Sequence, residues 1–325
     1  MGRGYNEIVE AFSGQSLTQG GVTRFSKEFP LGEGWTRMLL RFNLTVVIGT
    51  GAGVVAEAIQ KFVKAVTLKT DRGELLCNSV PGRALYRWDQ LKSGTPALSE
   101  SVAAGSATYR LILPIWFADP LAKVPFDTVL DTARYSSINL ELQVGDINDL
   151  YSAPGTATVT STVDCFIERG RGAVPKKVRP AFYVEYGARV PVDPNSVSEI
   201  LLERAANLAY KRLMIGTASS PTAGTPFSGT NSDAVLSTVT LEHDGGFPYN
   251  RVIWSLLTNQ NKQDYSLETA LVGTALFDHV RQDGSLNSAM YSGDKSRLSL
   301  KWANGGSMPN PAQVSLAYEA VRPLV

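Results

Sequence analysis

Histidine and cysteine are almost missing from this chain, with two of each in 325 residues. His243 and His279 are too few for a multi-histidine zinc site within one chain and nearly exclude a histidine-based triad. Cys77 and Cys165 stand far apart; one disulfide is arithmetically possible, but they read as two buried thiols of a reducing compartment. An excess of charge of one sign is missing too. Lys and Arg number 31 against 30 Asp and Glu, a net charge of +1, so whole-chain electrostatics give no pull toward nucleic acid or a membrane surface. No base-stacking motif is visible, and no sequence-specific nucleic-acid partner is expected. The longest uncharged apolar stretch, residues 43–56, is too short to span a bilayer and contains Gly49, Gly51 and Gly53. The opening residues lack the basic-then-apolar run of a secretory signal, so synthesis in the cytoplasm is expected. CxxC, HExxH, Walker A, EF-hand and GxSxG patterns are all absent.

What is present is the composition of a folded protein: 43% hydrophobic, 19% charged, mean hydropathy −0.06. The length suits two domains better than one core. Short β-branched and aromatic runs punctuated by Gly, Pro, Asn and Asp recur throughout. In the first half they cover residues 38–47, 63–70, 109–117, 137–144 and 156–167. In the second half they cover 182–192, 235–243, 251–258, 297–302 and 313–321. Many alternate with period two, as in Ile138, Leu140, Leu142 and Val144, which places every second side chain on one buried face. This pattern predicts an all-β protein of two tandem sandwiches. Helical spacing is scarce. Residues 54–66 carry it, 196–213 read as a helix or as two strands, and 127–135 and 267–280 have room for short helices.

An internal duplication supports the tandem reading. The stretch from Val66 to Glu74 lines up with that from Val239 to Phe247, with five identities in nine positions. Four weaker matches follow in the same order. Phe29-Pro30-Leu31 lines up with Val190-Pro191-Val192, and residues 37–41 with 199–203. Leu130, Ala133, Tyr135 and Ser136 match Leu286, Ala289, Tyr291 and Ser292, and residues 157–160 match 312–315. Between the halves, residues 168–180 combine Gly, Pro and basic residues, as an exposed connector does. Residues 92–107 and 216–233 read as surface loops.

Candidate chemistry is thin. Residues 44–53 imitate a strand feeding a dinucleotide-binding turn, but Val54 stands where the third glycine is needed, so a Gly-rich inter-strand loop is the reading. Asp146, Asn148 and Asp149 offer oxygen ligands to a calcium ion, against the commoner role of a polar turn. Arg171, Lys176, Lys177 and Arg179 form a basic patch in the connector, a solvated linker by default. Trp35, Trp88, Trp116, Trp254 and Trp302 sit in or beside expected strands and read as core or interface packing. A carbohydrate-binding or carbohydrate-active β-sandwich remains the alternative, since a carboxylate pair is defined in space rather than along the chain.

The tandem sandwiches, the short connector and the missing chemistry resemble the double jelly-roll major capsid proteins of tailless icosahedral viruses. That lineage includes adenovirus and membrane-containing bacteriophages; the likeness is nearest to short corticovirus-type members. It concentrates in residues 60–76, 23–31 and 109–145. The resemblance implies an arm over residues 1–24, a first eight-stranded jelly roll over 25–170, a connector over 171–180 and a second roll over 181–325. It implies a structural, non-enzymatic role in the virion as a homotrimer of pseudo-hexagonal outline. Its partners would be further copies, other capsid proteins and an internal viral membrane, with inter-subunit calcium as the one conceivable ion. Ile8, Val9 and Phe12 of the arm are the implied inner-surface contacts.

Overall fold

The computed structural model describes residues 6–25, 29–94, 98–103, 105–121, 128–170, 182–243, 247–281, 288–293 and 295–323. The chain divides into two compact units, the first running essentially to Val184 and the second from Glu185 to Pro323. The first contains β1 (Asn6–Ser16), β2 (Val22–Phe25), β3 (Gly34–Val47), β4 (Ala52–Val54), α1 (Ala58–Phe62), β5 (Val63–Thr70), β6 (Leu75–Val80), α2 (Gly82–Ser93), β7 (Ala107–Trp116), β8 (Leu130–Asp131), β9 (Ile138–Val144), β10 (Tyr151–Ala153) and β11 (Thr158–Gly170). The strands alternate between two sheets, ordered β1-β11-β3-β7 and β2-β9-β5-β6. That alternation is an eight-stranded jelly roll. Period two is clearest in β3, where Met38, Leu40, Phe42 and Leu44 are fully buried while Leu39, Arg41 and Asn43 are part-exposed.

The second unit repeats the plan with β12 (Phe182–Ala188), β13 (Glu199–Leu201), β14 (Ala209–Ser219), β15 (Thr230–Asn231), β16 (Leu236–His243), β17 (Phe247–Ile253), α3 (Trp254–Asp264), β18 (Thr274–Asp278), β19 (Met290–Tyr291), β20 (Leu298–Asn304) and β21 (Ala312–Pro323). Its sheets run β12-β21-β14-β18 and β13-β20-β16-β17. Its core joins Tyr210, Leu213 and Ile215 to Val314, Leu316 and Tyr318, with Leu241, Leu300, Trp254 and Leu257 opposite. In both rolls the sixth and seventh strands are joined through a helix. α2 packs on β5 and β7, and α3 on β16, β17 and β18.

Strand pairing also fixes which residues correspond. β8 meets β3 at Trp35 and Leu130, and β19 meets β14 at Tyr210 and Met290, so Trp35 corresponds to Tyr210. Two residues on, Thr132 and Ser292 are both fully buried. Thr132 Oγ1 donates to Glu33 O and accepts from the Gly32 and Glu33 amides. Ser292 Oγ holds Ala205 and Leu208 in the same way. The match of residues 66–74 to 239–247 is therefore sound, joining β5 to β16; that of 157–160 to 312–315 joins the right strands, β11 and β21, but four residues out of register, because Asp164 and not Thr160 corresponds to Ser315. Residues 37–41 belong with 212–216 rather than 199–203, because β14 and not β13 is the counterpart of β3. Leu130 corresponds to Met290, four residues from the sequence match. The match of 29–31 to 190–192 joins non-equivalent connections.

Several local expectations are corrected. Residues 6–25 do not stand outside the first roll as an arm; they are β1 and β2, edge strands hydrogen-bonded to β11 and β9. Residues 254–258 begin α3 instead of ending a strand, because Trp254, Leu257 and Asn261 recur at helical spacing toward the core. Residues 274–278 are strand β18 where a helix had room. The 54–66 pattern yields only the five residues of α1, and 196–213 resolves into two strands. α2 takes in Lys92, and β14 takes in residues 216–219. Cys77 and Cys165 are buried thiols in β6 and β11.

Candidate assembly surface

The functional candidates of an all-β chain lie on its sheet faces and edges. The outward face of β11, β3 and β7 is built in three rungs, each set by strand register. The first rung places Arg37 between Glu168 and Trp116. Arg37 Nε donates to Glu168 Oε2 at 2.8 Å, and its guanidinium lies 4.4 Å from the Trp116 ring centroid. Trp116 Nε1 donates in turn to Asp89 of α2 at 3.1 Å. The second rung is apolar: Phe166, Leu39 and Pro114. The third places Arg41 between Asp164 and Ile112, with Arg41 Nε donating to Asp164 Oδ2 at 2.8 Å. Asp164 also accepts from Asn43 Nδ2, Ser13 Oγ and the Gly14 amide. Burial alone would raise its carboxyl, yet these donors hold it below the ordinary carboxylate range. Leu39, Ile112, Trp116 and Phe166 are only half-buried on this face.

The second roll has the same three rungs with other side chains. Arg212 lies between Glu319 and Asp278, Met214 between Ala317 and Leu276, and Gly216 between Ser315 and Thr274. Arg212 and Glu319 occupy the register of Arg37 and Glu168, and their Nη1–Oε2 distance is 2.9 Å. The environments differ sharply. The Arg37 and Glu168 side chains are 25% and 13% exposed, those of Arg212 and Glu319 2% and 0%. A bulge at Lys211 brings a second cation onto Glu319 at 2.8 Å, while Asp278 takes Arg212 Nε at 2.9 Å and the Tyr265 hydroxyl. Two cations thus meet two carboxylates out of water. The third rung is covered by the loop after β14: the Phe227 ring sits over Gly216, leaving no room for a Cβ there. The Phe227 amide donates to Ser315 Oγ, and Gln313 Nε2 to Thr225 O.

Sheet edges are managed locally. Residues 98–100 run along β7, with Ile112 N donating to Leu98 O and Glu100 N to Arg110 O. On the corresponding edge of the second roll, the Asn261 side chain both accepts from Leu276 N and donates to Leu276 O, standing in for a strand.

Of the residues singled out in the sequence, Ile8 is 58% exposed, Val9 part-buried and Phe12 buried. Phe12 is therefore no surface contact; it stacks on Phe25 at 4.7 Å. Asp146, Asn148 and Asp149 come together in one turn, where Asp146 Oδ1 accepts from the Asn148 amide and Asp149 Oδ2 from the Asp146 amide. Asp149 also pairs with Lys64, so both carboxylates serve their own turn. Arg171, Lys176, Lys177 and Arg179 lie outside the described residues. The glycines at 49–53 lead into β4, which pairs with β10, so the turn feeds a strand and not the helix N-terminus that a pyrophosphate needs.

Other carboxylates are similarly committed. Glu57 binds Arg83 and Arg87, and Glu185 binds Arg322 and the Tyr318 hydroxyl. Among the described residues no cluster of three or more His, Cys, Asp or Glu could hold a metal, and no helix is long and apolar enough to cross a membrane. The outward three-rung face was missed in the sequence. Its signal was the run Arg37-Met38-Leu39-Leu40-Arg41 against Arg212-Leu213-Met214-Ile215-Gly216, hidden by matching the first to residues 199–203.

No protein-family profile matches the chain, and no curated protein matches it in sequence. Solved structures do. The major capsid protein of STIV, the Sulfolobus Turreted Icosahedral Virus, superposes with a TM-score of 0.70 at 16% identity, covering 98% of this chain and 97% of that one. The major capsid protein P2 of bacteriophage PM2 gives 0.62 at 14% identity, covering 99% and 98%. A PBCV-1 virus capsid structure gives 0.63 at 13% identity, covering 98% and 94%. At such identities the likeness is one of fold, and the fold is the double jelly roll.

Proposed function

We propose that this chain is a viral major capsid protein, a structural and non-enzymatic subunit that forms homotrimeric capsomers of pseudo-hexagonal outline and tiles an icosahedral shell. The observation that carries the reading is the tandem repeat itself: two complete eight-stranded rolls with matched registers, in a chain that covers its capsid-protein neighbours almost end to end. Three copies of a doubled unit present six similar edges to their surroundings, which is what a hexagonal lattice position requires. The buried carboxylates Asp164, Glu185 and Glu319 support a structural role, since each is paired with a neighbouring cation. The protein would act in the virion after assembly in the host cytoplasm, with further copies, other capsid proteins and an internal membrane as partners.

Light scattering on the gel-filtered protein tests this, with negative-stain imaging of the same peak. The expected species has three times the chain mass and a hexagonal outline. A monomer at both low and high salt would overturn the proposal.

A further inference from the structure

The two rolls carry the same arginine–glutamate pair at the same register on the same face, sealed in one and open in the other. In the second roll every residue of the three rungs is buried within the chain but for a sliver of Asp278. In the first, Leu39, Ile112, Trp116 and Phe166 remain half-open. This open face has the make-up of a protein contact: aromatic and aliphatic side chains at the centre and arginine beside them. Its charges are already matched, Arg37 by Glu168 and Arg41 by Asp164, so a neighbour can cover it without stranding an unpaired charge.

We infer that the outward face of β11, β3 and β7 in the first roll is a subunit contact, covered in the capsomer by a second copy of this chain. The inference rests on the capsomer reading. In a pseudo-sixfold ring built from two kinds of roll, corresponding faces occupy corresponding environments. The second roll closes this face with its own loop after β14 and with Tyr265, whereas the first leaves it half-open, to be covered by another chain. The contact is heterologous, joining this face to a different surface of the next copy, and such contacts close into a ring of three.

The test uses the full chain and five single variants, three to glutamate and two to cysteine. Leu39→Glu and Phe166→Glu each set a carboxylate beside Arg41 or between Arg37 and Arg41, which the folded roll tolerates and an apolar neighbour does not. Leu201→Glu, at a 62% exposed position on the other sheet of the second roll, is the control. By light scattering the parent and Leu201→Glu are expected as trimers and the two face variants as monomers with parental circular dichroism, a threefold drop in mass. A monomeric parent would sink the capsomer reading and the face with it. A trimeric parent with trimeric face variants would sink the face alone. Should the glutamates prevent folding, Leu39→Cys against Leu201→Cys decides the matter, the two native thiols being buried. Maleimide labelling of the trimer is expected to be at least tenfold slower at 39 than at 201, and equal rates would overturn the assignment.

Discussion

The first and second rolls are one fold written twice, and they differ most where they correspond best. Arg37–Glu168 and Arg212–Glu319 share strands, register and outward direction, yet one pair is in contact with water and the other is not. The second roll adds Lys211, Asp278 and Tyr265 to its pair, which a face without solvent needs for charge balance. The first roll instead adds a tryptophan and a phenylalanine over its arginines, at 4.4 and 5.3 Å. One fold thus supports a closed face held by ions and an open face suited to a neighbour.

The largest break in this comparison is expected from the carboxylates. Glu319→Gln leaves Lys211 and Arg212 buried with half their counter-charge, and should cost about 3–5 kcal/mol, the range for breaking a buried pair. Glu168→Gln on the open face should cost no more than about 1 kcal/mol. Hydrogen exchange at β14 and β3 amides reads the two rolls separately at one protein concentration. Equal losses would mean that the two faces do not differ in the folded protein in solution.

Acid sharpens the same contrast, because both histidines lie in the second roll. Burial pushes His279 down to about 4, against a smaller upward pull from Asp278. The unfolded chain binds this proton near pH 6.5, so between pH 6.5 and 4 it holds more protons than the folded one. Stability is then full above pH 6.5 and falls as pH drops toward 4, by about 3 kcal/mol in total. His279→Gln should remove that increment from the acid limb of a pH-resolved urea titration. An unchanged limb would show that His279 is already solvated.

The first roll has its own depressed group. Burial, and then the Arg83 guanidinium, push Lys61 down to about 8. Here stability rises as pH goes from about 8 toward the unfolded value near 10.5. The gain is about 1–2 kcal/mol once solvent screening of this part-exposed side chain is allowed for. Lys61→Met should raise stability at neutral pH by a similar amount and abolish the alkaline rise in the same titration. A Met variant less stable than the parent would mean that the lysine's contacts outweigh its buried charge.

Much of the fold was legible because sandwich strands bury one side, and period two survives in residues such as Ile138, Leu140 and Leu142. The strands that were hardest to place are those buried on both faces. β14 shows no alternation because nearly all of it is buried, and its match to β3 was lost for that reason. α2 opens on Gly82 straight after Pro81 and was not expected from the sequence, although Ala84, Leu85, Trp88 and Leu91 recur at helical spacing before Gly94 at φ +68° ends it. β1 passed for an arm because an edge strand lying along a sheet needs few core residues of its own; Phe12 is its fully committed one. The candidate surface was invisible in one dimension, since its rungs join β3 to residues far along the chain in β7 and β11, up to 131 positions away.

The smallest expected effect concerns a place where the rolls should agree. On the other sheet, β2 and β9 carry Arg24–Glu141 at 2.8 Å, while Glu199 of β13 pairs with Arg297, next to β20, at 2.7 Å. The strands correspond and the charges are exchanged. Both arginines are at least half exposed, 73% and 50%, so each pair works in water and each coupling should be about 0.5 kcal/mol. Double-mutant cycles to alanine measure both. Equal, small values would confine the difference between the rolls to the β11–β3–β7 face and its counterpart. A coupling several times larger at Glu199–Arg297 would mean that the second roll is more tightly held on both faces. Ring position would then no longer be needed to explain why one arginine–glutamate pair is sealed and the other open.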